Sequence, residues 1–92
     1  MNIKELDSQK IEIIHGEGIY ELLEQNIENV RKNVEYMDEK GFTDTMDLLE
    51  RVPTLFVNDE KTFKNKINKL IEKMGKNYVE EIENDIGILE DI

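Results

Sequence analysis

Residues 19–41 read IYELLEQNIENVRKNVEYMDEKG. Apolar side chains fall at Ile19, Leu22, Leu23, Ile27, Val30, Val34 and Met37, the three-and-four spacing that lays one oily stripe along an α-helix. Gly41 stands just past the last periodic residue, where glycine readily takes the left-handed geometry that closes a helix, and Lys40 complements the negative end of the dipole. The stretch predicts one helix over about 18–40. Its stripe needs other helices to cover it.

The chain downstream supplies them. Thr43 or Asp44 can cap a helix carrying Leu48, Leu49 and Val52, which Pro53 ends near Arg51, because proline disfavours helical geometry at the residue before it. Thr54 to Val57 then suit a single tight turn. Asn58 or Asp59 caps the next helix, with Phe63, Ile67, Leu70, Ile71 and Met74 on one face and Gly75 as its stop. A last helix opens at Asn77 with Glu80 three residues on, a capping-box pattern, and presents Val79, Ile82, Ile86 and Leu89. At the N-terminus, Ile3, Leu6 and Ile13 or Ile14 suit a helical face, while Lys10-Ile11-Glu12-Ile13 alternates as a strand does. A lone strand lacks a partner here, so a helix is expected. The fold class expected is all-α: a compact bundle of four to five helices in a single domain spanning 1–92.

Two units stand out within it. A shift of 33 superimposes Val30 on Phe63, Val34 on Ile67 and Met37 on Leu70, and a shift of 34 superimposes Gly41 on Gly75, Leu48 on Ile82 and Leu55 on Leu89. Residues 27–57 and 60–90 thus read as two stacked hairpins of about 34 residues, with the N-terminal segment as a cap. Helical periodicity alone produces the same agreement between unrelated hairpins. The run from Gly41-Phe42-Thr43 through Leu48-Leu49-Glu50-Arg51-Val52-Pro53-Thr54-Leu55-Phe56 to Phe63, Ile67, Leu70 and Gly75 resembles one unit of the mitochondrial transcription termination factor repeats, over about 35 of 92 residues. The chain departs from that family in having one such proline and a strongly acidic balance, and no binding residues are carried over from it.

Leu, Ile, Val and Phe make up 28 of the 92 residues, enough apolar content for the chain to fold despite 22 acids against 12 bases and a net charge of -10. That charge repels nucleic-acid phosphates and anionic lipid unless the bases are segregated. The chain has no cysteine, which removes disulfides, thiol nucleophiles and cysteine-held metals. No run is long and apolar enough to span a bilayer, and MNIKELDSQK is unlike a signal peptide, so a soluble cytoplasmic protein is expected.

Catalytic constellations are sparse. His15 and Ser8 are the sole histidine and serine, and His15 beside Gly16 reads as a turn residue. A calcium loop begun at Asp38 would place Lys40, Phe42 and Leu49 at ligand positions. His15-Gly16-Glu17-Gly18 is too short for a phosphate-cradling loop. No enzyme activity, metal or cofactor is expected.

What remains is surface. Lys66, Lys69, Lys73 and Lys76 share one helix face, and Glu17, Glu21, Glu24 and Glu28 share another. Residues 59–76 carry +3, while 77–92 hold six acids and no base, so the acidic end can either neutralise the lysines or leave them for a partner. Leu55, Phe56 and Val57 either plug the core beneath their turn or form a docking patch. The function expected is non-catalytic binding of another protein, including a second copy of the chain. The alternative is an acidic inhibitor that imitates nucleic acid and blocks a basic cleft.

Overall fold

The computed structural model describes residues 8–90 and 92. Ile3 and Leu6, expected on the first helical face, lie outside them. Among the described residues there is no strand, and the chain is all-α. The segments are α1 (Ser8–His15), α2 (Ile19–Gln25), α3 (Ile27–Glu39), α4 (Thr45–Arg51), α5 (Pro53–Phe56), α6 (Glu60–Met74), a 3-10 turn (Gly75–Asn77), α7 (Tyr78–Asn84) and α8 (Gly87–Glu90). The Cα radius of gyration is 12.6 Å. A chain of this length packed as one domain should measure about 12 Å.

Among the described residues, eight α segments replace the four or five expected, because side-chain and backbone features interrupt the predicted helices. The helix foreseen over 18–40 is kinked at Asn26, whose side-chain amide donates to the Leu22 carbonyl at 2.9 Å while its backbone N–H is shared between Leu22 and Leu23. That local competition for carbonyls is a common cause of a kink. Val52, at φ -130°, leaves helical geometry before Pro53, which opens α5 at a position where its missing N–H costs nothing. Asp85, at φ -142°, separates α7 from α8. The capping box expected at Asn77 does not form: Asn77 closes the 3-10 turn and makes no side-chain cap. At the N-terminus the helical period prevails over the strand period, with Ile11 fully buried and Gly16 donating to the Glu12 carbonyl at 2.7 Å.

Helix α3 lies at the centre and packs against α2, α4, α5 and α6. Its stripe of Val30, Val34 and Met37 meets Leu48 and Leu49 from α4, Phe56 from α5 and Phe63 and Ile67 from α6 in one apolar cluster. Phe56 and Phe63 have ring centroids 5.1 Å apart, and Tyr36 meets Phe63 edge-on at 6.4 Å. The second half is tied on by polar contacts as well. The Tyr78 hydroxyl donates to the Lys40 carbonyl at 2.8 Å, and Thr43 gives its backbone N–H to Glu83 Oε1 at 3.0 Å. Gly41 sits between these contacts at φ 95°, a conformation that penalises any side chain.

One polar residue breaks the apolar stripe of α3. Asn33 is fully buried, and its Nδ2 donates to the carbonyls of Phe56 at 2.9 Å and Asn58 at 2.8 Å. The Phe56 carbonyl ends α5, where a single helical turn cannot satisfy it internally, and that of Asn58 lies in the connection to α6. Asn29, one turn earlier, reaches the Val57 carbonyl at 3.5 Å. Oδ1 of Asn33 is buried with no partner among the described residues. Turning the amide over would aim that oxygen at two other oxygens, so the donors fix its orientation.

The segments run long, short, single turn twice: 13, 7 and 4 residues in α3–α5, then 15, 7 and 4 in α6–α8. The polar tie also recurs in position. The superposition that lays Val34 on Ile67 lays Asn33 on Lys66, and the one that lays Leu55 on Leu89 lays Asn58 on Ile92. Lys66 donates from α6 to the main-chain oxygen of Ile92 at 3.4 Å, as Asn33 donates to that of Asn58.

Two outcomes test this account of the fold. Asn33→Ala strands two carbonyls and should lower unfolding free energy by about 2–4 kcal/mol in urea titrations, with Asn33→Asp worse because it sets a buried carboxylate against them. Asp59 caps α6 by accepting from Thr62 N at 2.9 Å and Thr62 Oγ1 at 2.9 Å, and these bonds hold its carboxyl below the ordinary range. A depressed value means the cap is fully present above the unfolded-state pKa and is lost as pH falls through the folded one. Asp59→Ala should therefore lower the melting temperature at neutral pH, and the gap from wild type should close in acid.

Candidate functional site

The apolar triplet does not form a surface. Leu55 and Phe56 lie in the core and Val57 is half-buried, so these residues fill the space beneath the α5 turn, where hydrophobic burial stabilises the α3–α5–α6 junction. The docking patch expected there is replaced by packing.

The lysine stripe divides. Lys66 is half-buried and engaged with the main-chain oxygen of Ile92, while Lys69, Lys73 and Lys76 are exposed. Among the described residues none of these four makes an ion pair with an acid of α7 or α8. Glu83 is instead turned toward Thr43. Tyr36 packs edge-on against Phe63, and the Lys40 carbonyl accepts from Tyr78, whereas Lys69 and Lys73 on α6 face solvent.

Ion pairs cluster along α3 and α6. Arg31 bonds Glu28 at 2.6 Å, which lowers the Glu28 carboxyl pKa and raises that of the guanidinium. Lys64 bonds Glu60 at 2.8 Å, with the same pair of opposed shifts, and Lys32 approaches Glu60 at 3.9 Å. All are exposed, and such pairs contribute little to stability. Glu28 is thereby committed within the molecule, whereas Glu17, Glu21 and Glu24 of the acidic face are exposed.

Two features escaped sequence reasoning. Ile13 is 83% and Ile14 57% exposed on α1, because Ile11 is the isoleucine of that helix that turns inward. The apolar residues crowded into 11–14 exceed what one buried face can take, and that excess was the available signal. Ile14 edges a cavity of about 350 Å³ between α1, α4 and α8, with Ile86 across it and Lys10, Asp47 and Glu50 at its rim. Lys10 bridges to Glu50 at 3.2 Å and anchors α1 on α4.

The second feature is a cavity of about 290 Å³ where the end of α1, the α4–α5 corner, α6 and α8 meet. His15, Arg51 and Lys66 all line it, from three separate parts of the chain. His15 Nε2 lies 2.8 Å from the Glu50 carbonyl, which only accepts, so this nitrogen carries the proton. No spacing in the sequence brings these residues together.

Among the described residues no group of three or more His, Cys, Asp or Glu side chains could hold a metal ion, and no helix is long and apolar enough to cross a membrane. No protein-family model, curated protein or solved structure matches the chain.

If the outer lysines only face water, the triple change Lys69→Gln, Lys73→Gln, Lys76→Gln should leave unfolding free energy within about 0.5 kcal/mol of wild type in urea titrations.

Proposed function

We propose that the chain is a non-catalytic, cytoplasmic interaction module that binds another protein, a second copy of itself included, through α1 and the groove beside α8. The observation that carries this reading is the pair Ile13 and Ile14, which leave a large apolar area wet beside a cavity edged by Ile86. Exposed branched aliphatics on a small, highly charged domain oppose the hydrophobic effect, and contact with a partner relieves that cost. Leu22 adds a further 36% exposed side chain on α2.

A second reading has its own observation. A shallow cavity on the N-terminal side is lined by Glu12, Glu21 and Glu24 with Tyr20 and Gln25, and among the described residues no base lines it. Carboxylates held this way could occupy phosphate positions on a basic cleft. Salt separates the readings: charge mimicry weakens steeply as salt rises, while docking on isoleucines does not.

Affinity capture from the native cell extract at low and high salt, with solution mass measured in parallel, tests both. Under the first reading, binding or self-association survives high salt and is abolished by Ile13→Ser with Ile14→Ser, while the circular dichroism melt hardly moves. Equal capture by the doubly substituted protein, or a monomer that captures nothing at either salt, would sink it.

A further inference from the structure

We propose that the cavity lined by His15, Arg51 and Lys66 binds a phosphate group. The chain carries a net charge of -10, yet among the described residues lining this cavity stand an arginine, a lysine and the histidine, with Glu90 as the acidic side chain and Ile92 beside it in the wall. Among the described residues the cavity beside α2 is lined by glutamates and no base, so the charged side chains differ between two concavities of one small molecule.

Arg51 and Lys66 have donors left for a ligand, while His15 has its N–H spent on the Glu50 carbonyl. Arg51 is oriented by Asp47, which takes its Nε at 3.2 Å, and its two terminal nitrogens have no partner among the described residues. Lys66 spends one ammonium hydrogen on a long 3.4 Å contact to the main-chain oxygen of Ile92, and an ammonium has further hydrogens to give. His15 is pinned through Nε2 to Glu50, so its ring edge is fixed in the wall. Thr54 and Asn58 complete the polar lining with a hydroxyl and a carboxamide. Donors carried by several segments that line one cavity suit the free oxygens of a phosphate better than the two oxygens of a carboxylate. Because the molecule's overall field repels anions, affinity depends on these local donors and is modest.

The test is a titration of the isotope-labelled chain with inorganic phosphate, followed by NMR against sodium chloride of matched ionic strength. Saturable shifts are expected at His15, Arg51, Thr54 and Asn58. Arg51→Gln and Lys66→Gln should each weaken binding roughly ten-fold, as loss of a charged hydrogen bond does, while Lys69→Gln leaves it unchanged. A capped phosphoserine peptide tells the sources apart: tighter binding than the free ion assigns the site to a phosphorylated chain, and equal binding assigns it to phosphate itself. The proposal is overturned if shifts fail to saturate, follow chloride equally, centre on Lys69, Lys73 and Lys76, or persist undiminished in both variants. Should a variant lose its dispersed spectrum, the location and saturation of the shifts in the unaltered chain decide the matter.

Discussion

Asn33 reaches out of α3 with both amide hydrogens committed to the carbonyls of Phe56 and Asn58. Around it the core is apolar, so the buried bond to Phe56 is shielded from water, and its loss would leave an unsatisfied oxygen in a hydrocarbon interior. The consequence is positional. With those carbonyls held, the α5 turn can end against α3, Phe56 is seated under Phe63, and α6 leaves at an angle that lets it lie along α3. An apolar residue at position 33 would pack, but it would not specify where the turn ends.

The same constraint shapes the surface. Because the α5 turn is drawn inward, Leu55 and Phe56 serve the core, and the α4–α5 corner carries Arg51 to the edge of a cavity that α6 closes with Lys66. On α6, Lys66 reaches the main-chain oxygen of Ile92 from a half-buried site and forms part of the cavity wall. Lys69 and Lys73 of the same helix face solvent.

Much of the framework was legible in the residues. The stripe of Val30, Val34 and Met37, the stop at Gly41, the break before Pro53 and the end of α6 at Gly75 follow from local rules, and of the cap alternatives Thr43 or Asp44 and Asn58 or Asp59 the structure uses Asp44 and Asp59. The kink at Asn26 and the failed cap at Asn77 did not, because an asparagine can bond its own helix, cap the next one or do neither, and its neighbours in space decide. Nor could periodicity tell that Ile11 would take the inward place on α1 and leave Ile13 and Ile14 wet.

By itself, then, the sequence determined that this chain is helical, where most helices begin and end, and which stripes turn inward, since these depend on contacts a few residues apart. Only the tertiary structure decided that Asn33 lies beneath the α5 turn and that His15, Arg51 and Lys66 share one cavity. Those juxtapositions join residues far apart along the chain, and which of them meet is set by how packed helices cross.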